Sequence, residues 1–462
     1  MEKSPSAILI VGFGCIGQAL LPLIIREFSL RPNQIQIIAA DATGKAVADI
    51  FKVQLEVSPL MPINLESMLK DRLHRDDLLI NLSVEVSSLA LITWCKQAGV
   101  LYLDTCVEPW PGGYSNTENF AETTNYALRE QALHLAERGA PTAVIAHGAN
   151  PGLVTHFAKA GLRELAKLRG ISSQLSSAET AAAIGVKVIQ IAERDTQRGT
   201  CLIPEEDFVN TWSVSGFLAE ALQCAEAGWG THEQSLPPHG VHHDFGERSA
   251  IFMLAHGIDV RVKSWVPSMG EQNSYLIPHH EAASLASFLT VPSGRYASPV
   301  YRPTVYYAYT PSPATCQSIQ SWKARGRQAL KHGYFLRDEL EDGFDELGIL
   351  FIGEWGAYWY GSTLSLGEAR QIAPFNSATS MQVVAGILGA LAWMKNHPNE
   401  GVVEAEDMDS EQVLDAATPF LGEICGFQTS WQPAANSNLQ FNDFLVSSMP
   451  MEMTKRLEEY VN

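Results

Sequence analysis

Along the first 150 residues, short apolar runs alternate with stretches whose apolar residues recur every three or four positions. "AILIVGFG" (7–14), "IQIIAAD" (35–41), "DLLINLS" (77–83), "LYLDT" (101–105) and "TAVIAHG" (142–148) read as strands, each ending in Gly, Asp, Ser or Thr. Unbroken apolar runs of this kind fit parallel strands covered on both faces. Segments 17–28 and 87–98 carry helical spacing between them. Alternating strands and helices predict an α/β fold with a doubly wound parallel sheet.

The rhythm then changes. "GANPGLVTHFAKAGLRELAKL" opens a helix, with Asn150 as its expected N-cap and Pro151 as its first residue. From about 170 to 370 come longer runs rich in aromatics, Thr and Val, such as "VYRPTVYYAYT" and "GILFIGEWGAYWYGSTLSL". They predict a second, α+β domain with a mixed or antiparallel sheet. "SATSMQVVAGILGALAWMK", after Asn376, has the pattern of a buried helix. The resulting division is 1–155 for a nucleotide-binding domain, 156–375 for a substrate, catalytic and dimerisation domain, and 376–462 for a helical segment returning to the first domain.

Composition narrows the classes of partner. With 462 residues, 46 % of them hydrophobic, the chain exceeds one ordinary domain. A net charge of -19 argues against nucleic acid, whose phosphates need a basic face, and suits a cationic ligand. Seven cysteines without a CxxC pair suggest reduced thiols in a cytoplasmic protein rather than a disulfide framework. The first strand pattern begins at once, without a signal-peptide pattern, and no apolar run of membrane-spanning length is expected. His232, His242 and His243 form no recognisable ligand spacing, so no metal is expected.

"GFGCIG" places Gly12, Gly14 and Gly17 in GxGxxG spacing between a strand and a helix. The first glycine permits a tight turn, the second a close approach to pyrophosphate, the third close helix packing. The helix N-terminus adds amide donors. This is a Rossmann signature, with Gly12, Phe13, Gly14, Cys15, Ile16 and Gly17 as the candidate phosphate loop. Asp41, ending the second strand, is suited to the ribose hydroxyls and would repel a 2′-phosphate, which favours NAD over NADP. Ligands in such sheets lie beyond the carboxyl ends of the strands. Those ends carry Asn81, Ser83, Thr105 and His147, with Glu85, Glu108 and Asn150 slightly beyond. Helix capping is an equally good account of any one of the Asn and Thr residues.

Segment 208–233, "FVNTWSVSGFLAEALQCAEAGWGTHE", holds Trp212, Trp229, Glu220, Glu226 and Glu233 and no lysine or arginine. Trp212 and Glu220 are eight residues apart, which on a helix puts both toward one side. A Trp face attracts cations, and carboxylates bind ammonium groups by charge-assisted hydrogen bonds.

Taken with "VGFGCIGQALLPL", "NLSVEVSS", "YLDTCVEPW", "HGANPGLV", "NTWSVSGF", "GWGTHE", "YRPTVYYAY" and "EWGAYWYGSTLS", the sequence resembles the bacterial homospermidine synthases, within the wider saccharopine dehydrogenase-like group. The resemblance spans about 1 to 380. It implies bound NAD, aminobutyl transfer from putrescine or spermidine to putrescine with loss of ammonia or diaminopropane, and a homodimer. It also implies roles: Trp212 for cation–π stabilisation, Glu220 and Glu193 for amine binding and proton handling, Asn150 and His279 (or His280) for orientation. Glu85, Glu108 and Asp345 are the further acids it carries over. Two other readings stay open. A saccharopine reductase-like imine reductase would need arginine for an α-carboxylate. A regulator without catalysis would bind NAD and turn nothing over.

Overall fold

The structure, a computed structural model, describes Pro5 and residues 7–114, 119–200, 203–294 and 298–446. The end of the C-terminal segment, 447–462, and the initial 1–4 lie outside the described residues. No described helix is long and apolar enough to cross a membrane.

Four residues of unbroken apolar character suffice for a strand that is buried on both faces. Ile8–Val11, Ile35–Ala39, Leu78–Asn81, Leu101–Asp104 and Ala143–Val144 pair in parallel at the expected places. Gln54–Val57 and Val402–Val403 complete a seven-stranded sheet at its two edges. Both lack a readable pattern: the first exposes its ends, and the second is two residues long. Strand Ile8–Val11 lies between Leu78–Asn81 and Ile35–Ala39, so the chain order reverses beside it. In register, Val11 faces Asn81 and Asn81 faces Asp104, which aligns the carboxyl ends of three neighbouring strands.

The helix Ala378–Met394 is buried almost all round and packs on the glycine-loop helix Cys15–Glu27. Each large aliphatic side chain buried there contributes roughly 1.5–3 kcal/mol. A Cβ on Gly386 would lie 1.9 Å from the Gly148 carbonyl oxygen, so only glycine lets this helix approach the turn before Asn150.

A mixed sheet of ten strands forms the second layer. Its centre is Val186–Asp195, parallel to Thr304–Thr310 on one side and antiparallel to Phe344–Gly353 on the other. The Phe344–Gly353 strand turns back as Gly356–Ser365, and Glu423–Thr429 pairs beyond it. Segment 376–446 is therefore not helical alone: it adds one strand to each large sheet. Tyr306, Tyr307 and Tyr309 of "VYYAY" are all buried within this sheet.

Candidate active site

The glycine loop has the shape a pyrophosphate requires. Gly12 has φ +89°, and a Cβ there would stand 2.7 Å from the backbone of Leu82. Gly17 would press a Cβ 2.8 Å from the Phe13 ring, whereas Gly14 has nothing within 4 Å of that position. Gly14 is the N-cap of Cys15–Glu27, and there is no side-chain cap hydrogen bond at that helix N-terminus. Open space over the middle glycine, beside unfilled amide donors, fits a dinucleotide phosphate.

Gly14, Cys15 and Ile16 open onto a cavity of about 150 Å³ between the two layers. Asn81, Ser83 and Thr105 reach it from the strand ends. Glu108, Asn150, Glu193, Trp212, Glu220 and His279 line its other side. Among the described residues, no lysine or arginine lines it. A larger apolar cavity of about 510 Å³ lies at the opposite, amino end of the parallel strands, and it includes none of these groups.

Local chemistry fixes several of these side chains. Asn150 Nδ2 donates to Glu193 Oε2 at 2.9 Å, and Tyr307 Oη donates to the same oxygen at 2.5 Å. Trp212 Nε1 donates to Tyr309 Oη at 3.3 Å. His279 stands between Glu220 (Nε2 to Oε2, 3.1 Å) and Glu281 (Nδ1 to Oε1, 3.3 Å), with its ring tilted by 39° against that of Tyr307 at 4.4 Å. Asn81 Oδ1 accepts from the Ser83 amide and hydroxyl.

Burial governs the electrostatics. It raises Glu193 to about 7, with nearby Asp195 adding to the rise and the Tyr307 and Asn150 donors opposing it. It raises Glu108 to about 7 as well, helped by Glu220 and opposed by the Glu85 amide. For His279 burial acts downward, yet Glu281 and Glu220 outweigh it and hold the imidazole up at about 10. Burial pushes the Cys15 thiol up to about 12 and that of Cys106 well above its ordinary range. Both cavity thiols are therefore neutral near pH 7 and unsuited to nucleophilic attack.

Several expectations need correction. Asn150 is not a helix N-cap: the helix runs Leu153–Leu168 from Gly152, and the Asn150 amide serves Glu193 instead. Trp212 is not on a helix with Glu220. Ser213 caps the helix Val214–Ala221 by accepting from the Gly216 amide, which leaves Trp212 just ahead of it. The two still meet at the cavity because Gly216 leaves room for the indole, 3.2 Å from where a Cβ would be. Of the two histidines in "LIPHH", His279 reaches the cavity, and His280 instead meets Glu404 at 2.6 Å.

Other expected residues stand apart from the cavity lining. The Phe13 side chain is buried beneath the loop, so only its backbone is available there. Glu85 is exposed, and its amide donates to Glu108 Oε2 at 3.1 Å. Asp345 is buried under the cavity and accepts from Thr379, which does line it. Asp41 is exposed, and its Oδ1 accepts from the Thr43 amide at 2.7 Å. That bonding to Thr43 keeps its carboxyl below the ordinary range.

Sequence reasoning missed Tyr307, Tyr309, Glu281 and Thr379. The two tyrosines were visible as alternate positions of one strand, which share a face. Thr379 carried no signal, since it comes from the first turn of a helix read only as apolar.

Comparison with known proteins agrees with this layout. Residues 8–146 match the saccharopine dehydrogenase NADP binding domain, and 148–426 match the saccharopine dehydrogenase C-terminal domain. The homospermidine synthase of Mesorhizobium japonicum is 40% identical over 441 residues, covering 92% of this chain and 91% of that protein. That of Blastochloris viridis is 39% identical over 458 residues, 96% of each. The crystal structure of homospermidine synthase from Legionella pneumophila in complex with NAD superposes with a TM-score of 0.89 at 40% identity, covering 96% of this chain and 99% of that one. Similarity of this extent runs through both layers and both sides of the cavity, and the chain belongs to the homospermidine synthase family.

Proposed function

We propose that this chain is a homospermidine synthase: it transfers an aminobutyl group from putrescine, or from spermidine, to putrescine through imine intermediates, with NAD recycled and ammonia or diaminopropane released. One observation carries the reading. A glycine loop shaped for a dinucleotide shares a cavity with Trp212 and three carboxylates; among the described residues no lysine or arginine lines it, and its one cationic side chain, His279, is taken up between Glu220 and Glu281. With three carboxylates against one imidazolium already paired with two acids, that lining suits a diammonium substrate and lacks the bidentate arginine that an amino acid carboxylate calls for.

The chain's own groups divide the work. Glu220 and Glu193 hold ammonium groups by charge-assisted hydrogen bonds. Glu193 and Glu108, raised toward neutrality by burial, exchange protons readily near pH 7 and suit the deprotonation of the reacting amine. Asn150 and Tyr307 fix the Glu193 carboxylate in place. The Trp212 face stabilises the iminium cation where its charge develops. Asn81, Ser83, Thr105 and the loop Gly12–Gly17 would hold the nucleotide. Bound nicotinamide supplies reversible hydride transfer, and the protein keeps water from the imine between its two layers. The matched domain description names NADP, but an ionised Asp41 at the end of the second strand supports NAD. A cytoplasmic homodimer completes the proposal on the family resemblance, and sizing in solution tests the dimer.

Two putrescines and homospermidine plus ammonia are at one oxidation level, so the reading has a sharp test. Incubation with catalytic NAD and C1-deuterated putrescine is expected to give labelled homospermidine and no net NADH. Stoichiometric NADH with aminobutyraldehyde as the main product would replace the synthase with an amine dehydrogenase.

A further inference from the structure

Glu281 lines no part of the cavity, yet it is one of the most deeply buried carboxylates in the molecule, 1 % exposed. Its Oε1 meets His279 Nδ1 at 3.3 Å, and its Oε2 is buried with no hydrogen-bond partner among the described residues. A buried carboxylate served this poorly by neutral donors costs several kcal/mol unless a cation stands beside it. On the opposite edge of the same ring, Nε2 meets Glu220 Oε2 at 3.1 Å. A neutral imidazole has one donor and one acceptor nitrogen, so it satisfies one of these carboxylates and turns a lone pair on the other. Only the doubly protonated ring donates to both.

We propose that Glu281 is a positioning residue that holds His279 as a fixed imidazolium, aimed at Glu220, so that His279 acts in this site as a permanent cation and donor rather than as the base. The proposal rests on the synthase reading and deepens it. The local geometry makes the pair rigid. His279 is the N-cap residue of the helix His280–Phe288, and Glu281 lies in its first turn, so both are set by one piece of backbone. His280 ties that turn to Glu404, which Arg129 holds through two contacts of 2.7 Å. The groups facing His279 from other elements are Glu220 of the helix Val214–Ala221, Tyr307 of the strand Thr304–Thr310, and, further off, Glu193 of the strand Val186–Asp195. Three are carboxylates counting Glu281, and the fourth is an aromatic face, so all of them favour a cation.

The consequence is a division of labour among the acids. With Glu220 bonded to a standing cation, proton removal from the substrate falls to Glu193 and Glu108. The ring lies against Tyr307 and bonds Glu220 through Nε2, which fixes one oxygen of the Glu220 carboxylate.

Two measurements test this in the full-length protein. Long-range proton–nitrogen correlation of the imidazole groups, with His279 assigned by its loss in His279→Gln, is expected to show two protonated nitrogens at pH 7 and at pH 8. A neutral tautomer in the folded wild type at pH 7 overturns the proposal, and that result is independent of turnover. The second is the pH profile of Glu281→Gln, which keeps an acceptor at Nδ1 and removes the charge. Its kcat/KM is expected to fall at least fivefold between pH 7 and pH 9 relative to the wild-type change over the same range, with Glu281→Asp restoring most of the loss. A Glu281→Gln profile parallel to wild type, with folding intact, overturns it. If homospermidine is not the product at all, the synthase reading fails, and the nitrogen spectrum still decides the charge on His279.

Discussion

Segment 208–233 contains two tryptophan–acid neighbourhoods that look alike and behave differently. Trp212 and Glu220 face the cavity. Trp229 packs edge-on against Phe441 and His242, and its neighbour Glu233 accepts from Thr304 at 2.6 Å and from the Phe441 amide. Between them, Glu226 accepts from the amides of Asn125 and Tyr126 at the start of the helix Asn125–Leu133. An acid bound to backbone donors serves the fold, because its lone pairs satisfy groups that burial has cut off from water. An acid whose neighbours are a histidine and a cavity remains able to take a substrate cation. Residue type is the same in both places, and the partner decides the role.

The comparison can be broken by paired substitutions. The largest effect is expected at the tryptophans. Trp212→Ala is expected to lower turnover roughly thirtyfold, the loss of about 2 kcal/mol from a desolvated cation–π contact, with Trp212→Phe losing less. Trp229→Ala is expected to lower stability by roughly 3 kcal/mol, the low end for a partly buried Trp, and leave turnover per folded molecule near wild type. Steady-state kinetics beside thermal melts separate the two, and equal behaviour would mean that Trp212 is packing only.

Glu220→Gln is next. A hydrogen bond to a charged group contributes about 1.5 kcal/mol at the weak end, so putrescine use is expected to weaken on the order of tenfold with NAD binding unchanged. Glu226→Gln is expected to show the reverse, a lower melting temperature with ordinary kinetics. Damage to NAD and putrescine binding alike would place Glu220 in the support of the fold.

Acidity offers a third test. Glu193 and Glu108 are raised to about 7, so ionising them in the empty site opposes folding, and the stability linked to their protonated forms is lost as pH rises through about 7. A diammonium ligand needs the ionised forms. Putrescine affinity, measured calorimetrically, is therefore expected to be about tenfold greater at pH 8 than at pH 6 for each acid that must lose its proton. A flat profile would exclude both acids from the ammonium contacts. The smallest effect is expected at the exposed Asp41: Asp41→Ser is expected to narrow the preference for NAD over NADP about fivefold, matching roughly 1 kcal/mol between charges in water. A wild-type protein that prefers NADP would contradict the role given to Asp41.

Much of this protein was determined locally. Ile8–Val11, Ile35–Ala39, Leu78–Asn81 and Leu101–Asp104 are visible because a strand buried on both faces must be apolar throughout, and the GxGxxG loop because its backbone geometry excludes side chains. Trp212 and Glu220 were recognisable because an aromatic and unbalanced acids in one segment stand out in one dimension, whereas Glu193, beside Arg194, was named only through the family resemblance. The tertiary structure alone decided which of them meet. It turned Asn150 from a helix cap into a donor to Glu193, chose His279 over His280, left Glu85 in solvent and brought in Tyr307, Glu281 and Thr379. Those outcomes depend on contacts between residues tens to hundreds of positions apart. Hydrophobic periodicity reports how each segment meets the core, and it carries no record of which segments converge on one cavity.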